Sequence, residues 1–196
     1  YNGFFEADRI AVSNGQVKKD GKLHIVYTGR LYPSRRDPEP LFRAIRSLRS
    51  KGHDPKNRIL VDFYGFDDPG LRGLVRAYEL EKSVSLHGFV PYSQSMAMQH
   101  AADVLLFLDW TEVQAEGVLT GKLFEYLGAG RPILSLGQRK DSEAAHLIAE
   151  AGCGVTLITD EEIENFLLHL LSSDRPSFVG SAARDLFSRE RQARLL

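Results

Sequence analysis

Cysteine is almost missing from this chain of 196 residues, which has only Cys153. A single thiol excludes an internal disulfide framework and fits a reducing compartment, so a hydrophobic core has to hold the fold. Neither sign of charge is in excess. The 25 basic and 26 acidic side chains leave a net charge of −1, so no global field draws in nucleic acid or an anionic membrane surface. Any anion must be bound locally. The longest apolar run, around "VLLFL" at Val104 to Leu108, is far shorter than the ~20 residues that cross a bilayer, and the opening residues do not read as a secretory leader. His24, His53, His87, His100, His146 and His169 show no HExxH or other metal spacing, so each reads as a surface or core histidine and no metal site is expected. A cytoplasmic protein is the expectation, with peripheral membrane contact left open.

What the chain does have is alternation. The β-rich runs "LHIVYTG", "ILVDFYG", "VSLHGF", "DVLLFL", "PILSLG" and "GVTLI" are separated by the helical patterns "EPLFRAIRSLRSKG", "GLRGLVRAYEL", "SQSMAMQHAA", "KLFEYLGAG" and "SEAAHLIAEAG", with "EEIENFLLHLL" following the last run. Strand and helix in turn at this spacing imply parallel strands with right-handed crossover helices. The expected fold class is therefore α/β, a doubly wound parallel sheet of Rossmann-like kind. Thr159 and Glu162 spell a capping box ahead of Ile163, Phe166, Leu167 and Leu170, which share one helical face. Gly128, Gly130 and Pro132 are expected to stop the preceding helix. The tail "SFVGSAARDLFSRERQARLL" is helical in pattern, with Phe178, Leu186 and Phe187 expected to pack. No linker or repeat divides the chain, which reads as one domain over residues 1–196. It starts at Tyr1 and reads as a piece of something longer.

In an open parallel sheet the ligand lies beyond the carboxyl ends of the strands, which singles out three loops. They are "TGRLYPSRRDP" after the first strand, "HGFVPYS" after the third and "DWTEVQAEGVLTGK" after the fourth. In the first, Gly29 allows close approach of a ligand, and Arg30, Arg35 and Arg36 supply guanidinium forks that match phosphate oxygens. Solvated arginines paired with Asp37 or Glu39 are the alternative, and the position after a first strand favours the ligand. The pair Asp67 and Asp68 reads as a solvated loop or helix cap.

The last loop contains "GVLTGK", which superficially looks like a phosphate-binding loop of nucleotide-hydrolysing enzymes. Such a loop needs four residues between its glycines and a Ser or Thr after the lysine to hold magnesium. Gly117 and Gly121 are separated by three, and Leu123 follows Lys122, so ATP hydrolysis is not expected. What remains is a glycine-flanked turn entering a helix, whose free N–H groups and positive dipole end attract a phosphate. Lys122 and Glu125 share one helical face. They read equally well as a surface ion pair worth about 0.2–0.5 kcal/mol or as two ligand contacts. A carboxylate beside a phosphate site suits a ribose diol, which turns the second reading into a nucleotide.

These stretches together, and "GVLTGKLFEYLGAGRPIL" above all, resemble the nucleotide-sugar-binding C-terminal domain of GT-B glycosyltransferases, most closely glycosyltransferase family four. The opening "YNGFF" is similar to the Asn-Gly turn at the start of that domain, and the resemblance runs from Tyr1 to about Leu171. It implies that Arg30, Arg35 and Lys122, with Gly29, Arg36 and the amides of Gly117, Val118, Leu119, Thr120 and Gly121, grip the donor diphosphate and stabilise it as it leaves. It further implies that Glu125 holds the ribose and that the turn His87, Gly88, Phe89, Val90 meets the base through its backbone. The family often carries a second glutamate against the donor sugar, eight positions before Glu125, where this chain has Gly117. Glu116, one position away, is the remaining candidate.

The resemblance implies retention of anomeric configuration and a donor that is a nucleoside diphosphate sugar, with no cofactor or metal. An N-terminal acceptor domain, absent from this chain, would complete the enzyme and could carry a membrane contact. This domain alone should bind donor and transfer little. Polysaccharide or glycan synthesis is the implied setting. The donor half of a GT-B nucleotide-sugar epimerase and a non-catalytic doubly wound nucleotide-binding module are the alternatives. A dehydrogenase would need GxGxxG where "GRLYPS" stands.

Overall fold

The computed structural model of the chain describes residues 3–4, 20–32, 35–54, 57–65, 68–110, 120–137, 139–172 and 187–193. Among the described residues there are six strands: β1 (Leu23–Thr28), β2 (Ile59–Tyr64), β3 (Val84–Gly88), β4 (Val104–Leu108), β5 (Ile133–Leu136) and β6 (Gly154–Leu157). The helices between and after them are α1 (Glu39–Ser50), α2 (Pro69–Ala77), α3 (Tyr92–Ala101), α4 (Gly121–Ala129), α5 (Glu143–Glu150), α6 (Asp160–Leu171) and α7 (Arg189–Ala193). The strands form one sheet in the order β3-β2-β1-β4-β5-β6, with every pairing parallel. This is the doubly wound α/β fold that the alternation predicts.

Burial explains the strand sequences. β1, β4 and β5 are buried at every position, so they read as near-continuous apolar runs, whereas β3 at the edge alternates. On one face Ile25, Tyr27, Val61, Phe63 and Leu106 pack with Leu41, Phe42, Ile45 and Leu48 of α1 and Ile163, Leu167 and Leu170 of α6. On the other, Val26, Leu105 and Phe107 pack with Phe124 and Leu127 of α4 and Ile148 of α5. The chain runs outward from β1 to β3, returns to β4 beside β1, and then runs outward to β6. The carboxyl ends of β1 and β4 therefore mark the switch point, where a crevice opens between the loops that leave in opposite directions.

The expected capping box is present in full. Thr159 Oγ1 accepts from the Glu162 amide at 3.2 Å while Glu162 Oε2 accepts from the Thr159 amide at 3.2 Å. Thr159→Ala should cost about 1 kcal/mol, read from the midpoint of urea unfolding. Asp68 caps α2 by accepting from Leu71 N at 3.1 Å, as a cap reading of that residue requires; Asp67 lies outside the described residues.

One expectation needs correcting. Gly130, at φ +68°, ends α4, but Gly128 lies inside the helix and does not stop it. A Cβ at Gly128 would sit 3.0 Å from the Phe4 ring, so this glycine makes room for packing. Phe4 is in turn held by the other end of the chain: it forms a parallel bridge with Ser188, and Arg189 Nε donates to Gly3 O at 2.9 Å. Phe187 packs on Phe124 with ring centroids 6.4 Å apart, while Phe178 and Leu186 lie outside the described residues.

Candidate functional site

β1 ends in Tyr27 and Thr28, and the chain then turns at Gly29, whose φ is +104°. The turn leaves Gly29 with no side chain exactly where Lys122 lies, since a Cβ there would be 2.9 Å from Lys122 Cε and Nζ. The ammonium sits 3.8 Å from the centroid of the buried Tyr27 ring and has no hydrogen-bond partner among the described residues. Burial, and after it the nearby Arg36, hold its pKa well below the ordinary lysine value, with Glu125 pulling the other way. Lys122 and Glu125 thus feel each other but form no hydrogen bond, which sets aside the simple surface ion pair.

The three arginines after β1 occupy different environments. Tyr32 O accepts from the amides of both Arg35 and Arg36 at 3.0 Å, a bend that leaves Arg35 exposed and buries Arg36 to 6% exposure. The Arg36 guanidinium lies 4.8 Å from the Trp110 ring and 5.5 Å from that of Tyr32, and its Nε has no partner among the described residues. Arg35 is 5.8 Å from Trp110 and Arg30 is 5.6 Å from Tyr32, both on the outer side. The solvated alternative fails for Arg36. Glu39 accepts from the Tyr78 hydroxyl and pairs with Arg43, and Asp37 accepts from the Glu39 amide.

From β4 come Asp109 and Trp110. Asp109 is fixed by the Trp110 amide at 2.8 Å and the Ser142 hydroxyl at 2.7 Å, and it sets the direction in which Trp110 leaves the strand. The Trp110 ring stacks on Tyr32 with centroids 5.6 Å apart, and its Nε1 is buried without a partner among the described residues. Thr120 stands at the start of α4. Unlike Asp68, Ser142 and Thr159, it makes no side-chain cap, and its Oγ1 is buried and unpartnered among the described residues. Gly121 follows with open space where a Cβ would point.

Four polar atoms at the switch point therefore have no partner among the described residues: Arg36 Nε, Lys122 Nζ, Trp110 Nε1 and Thr120 Oγ1. Buried polar atoms are rarely left so, and three of these can only donate, which makes the crevice a place for an anion with several oxygens. Glu125 lies on α4 next to Tyr126, with its carboxylate within 3.4 Å of Gln99 Nε2. Beyond Gly29 a cleft lined by Leu31, Gly65, Leu86 and Gly88 continues toward β3. The His87 ring is on the other side of that strand, stacked on Tyr64 at 4.3 Å with Nε2 2.6 Å from Asp62 Oδ1. Gly88, at φ +69°, lines the cleft, and Val90 is half-buried beyond it.

The structure so brings together Gly29, Arg30, Arg35, Arg36, Thr120, Gly121, Lys122 and Glu125, with Gly88 across the cleft. Glu116, Gly117, Val118 and Leu119 lie outside the described residues. Sequence reasoning missed Tyr32, Trp110, Gln99 and Gly65. The dipeptide "DW" closing a fully apolar strand was the available signal for Trp110, and "FYG" closing β2 was that for Gly65.

No protein-family model matches the sequence, and no curated protein matches it at a significant level. Solved structures do match. WaaG, a glycosyltransferase involved in lipopolysaccharide biosynthesis, superposes with a TM-score of 0.70 at 20% identity, over 94% of this chain and 50% of WaaG. Sucrose-phosphate synthase from Thermosynechococcus elongatus gives a TM-score of 0.66 at 17% identity, over 99% of this chain and 50% of that one. The chain spans about half the length of each. It has the fold of one half of the GT-B glycosyltransferase architecture that these two proteins share.

Proposed function

We propose that the chain is the donor-binding domain of a glycosyltransferase that moves a sugar from a nucleoside diphosphate sugar to a hydroxyl acceptor. The observation that carries this is the cluster of buried donors at the switch point, Arg36 Nε, Lys122 Nζ and Trp110 Nε1, which have no partner among the described residues, beside the start of α4, where Thr120 makes no side-chain cap. A diphosphate satisfies several donors at once. The Glu125 carboxylate, one helical turn further along α4, then meets the ribose, and the backbone of the turn that begins at Gly88 meets the base.

Chemistry follows from charge. When the bond between the sugar's anomeric carbon and the phosphate oxygen breaks, the electron pair leaves with the diphosphate, and pre-aimed cations lower the barrier. Arg36 and Lys122 stand inside the crevice for this, with Arg30 and Arg35 at its rim. With these cations supplying the charge, the reading is metal-independent transfer. Retention of configuration and a role in polysaccharide or glycan synthesis belong to the same proposal. The acceptor and any general base come from a second domain.

The test is calorimetric titration of UDP, GDP, ADP and dTDP, with EDTA present. One diphosphate should bind selectively, and Glu125→Ala should weaken it at least about tenfold, since each hydroxyl bound to a carboxylate contributes roughly 1.5–3 kcal/mol. Equal, weak binding of all four in both proteins would refute the reading.

A further inference from the structure

Gln99 lies on α3 and is completely buried, at 0% exposure, an unusual place for a side chain with both donor and acceptor atoms. Its Nε2 donates to Thr28 Oγ1 at 3.1 Å, at the carboxyl end of β1, and reaches Glu125 Oε2 at 3.4 Å on α4. Its Oε1 has no partner among the described residues. The orientation of the amide is set by chemistry. An ionised carboxylate can only accept, so the NH2 group must be the side turned to Glu125. Thr28 is itself fixed by Tyr126, whose hydroxyl accepts from the Thr28 amide at 2.9 Å. Gln99 therefore ties one carboxylate oxygen to the end of the central strand, and through it to the crevice floor where Gly29 turns.

We infer that Gln99 is the positioning residue that aims the Glu125 carboxylate at the nucleotide's ribose, and so sets preference for a ribose with both hydroxyls. The inference rests on the donor-site reading above. A carboxylate on a helix surface can swing among rotamers, and accepting two adjacent hydroxyls requires one of them. The contact at 3.4 Å steers Glu125 from the side away from solvent, because Gln99 itself has no exposed surface with which to touch a ligand. A structural role alone would make Gln99 matter to stability and leave sugar discrimination untouched.

The experiment uses the full-length protein and whichever of ADP, GDP and UDP it binds, compared with the counterpart lacking both ribose hydroxyls, and inorganic pyrophosphate as a probe of the phosphate region. Wild type should prefer the ribonucleotide by about tenfold or more. Gln99→Leu and the more conservative Gln99→Met should each reduce that preference to within about threefold while changing pyrophosphate affinity less than twofold. Glu125→Ala should abolish it. Unchanged pyrophosphate affinity shows that the site is folded in each variant. A preference that survives in both Gln99 variants and is lost in Glu125→Ala would overturn the role of Gln99 and leave the donor site standing. A wild type that binds none of these nucleotides and no dTDP would overturn the donor-site reading and this inference with it, and one that binds a nucleotide but ignores the hydroxyls would overturn this inference.

Discussion

Replacing Lys122 by methionine should weaken diphosphate binding by at least about a hundredfold and at the same time make the ligand-free protein more stable. The two effects share one cause. The ammonium is buried over Tyr27 with no hydrogen-bond partner among the described residues, and Arg36 adds like charge nearby. A cation so placed costs folding free energy that an apolar side chain of similar length does not. Methionine should raise stability by about 1 kcal/mol, or roughly 2–4 °C in Tm for a chain of this size. With a diphosphate in the crevice the balance reverses, because the charge is then paired in a site that excludes water. A residue kept for the fold would show both effects with the same sign. Calorimetry for affinity and a thermal melt without ligand separate the cases.

The same lysine gives the site a pH dependence whose direction is fixed. Its pKa is held low in the free protein, chiefly by burial. A bound anion favours the charged form, so the bound state has the higher pKa. Affinity for a fully ionised diphosphate should therefore be level below the free-protein value and fall as pH rises through it, by up to about tenfold per pH unit until the bound-state value is reached. Lys122→Met should flatten the profile.

Much of this was legible in the chain. Near-continuous apolar runs at β1, β4 and β5 with helical patterns between them are what a buried parallel sheet demands, and so the fold class follows. Gly29, Lys122 and Glu125 stood out because glycine after a first strand, and charge at a helix start, carry meaning on a local scale. The environment of the arginines did not. Arg35 and Arg36 are neighbours in sequence, yet one is exposed and the other is buried against Trp110, which arrives from a strand far along the chain. Gln99 was hidden for a similar reason. It sits in a helix whose buried positions are Met96, Gln99 and His100, and its polarity gives no sign of that burial. No local pattern reports that a glutamine on α3 meets Thr28 at the end of β1.

Gly65→Ala should destabilise the protein by more than about 3 kcal/mol, the largest effect expected of any single methyl group near the site. Its φ is not positive, so backbone strain is not the cause. The cause is proximity: a Cβ at this position would lie 2.1 Å from the carbonyl oxygen of Gly29 and 2.9 Å from its carbon. A carbonyl of the main chain cannot rotate aside as a side chain can. The ends of β1 and β2 would have to separate, against the bond from Gly29 N to Tyr64 O at 2.7 Å and that from Gly65 N to Gly88 O at 2.8 Å. Gly29→Ala makes the contrast. There the new methyl would meet Lys122 Cε and Nζ at 2.9 Å, flexible atoms that can yield. Its folding cost should be about 1–2 kcal/mol, from forcing alanine to a positive φ, while diphosphate binding drops with the displacement of Lys122. Urea unfolding of the two variants should thus rank them Gly65→Ala well below Gly29→Ala. The reverse order would mean that the ends of β1 and β2 can part cheaply, and that the floor of the crevice is not the rigid element on which Arg36, Lys122 and Glu125 are aimed.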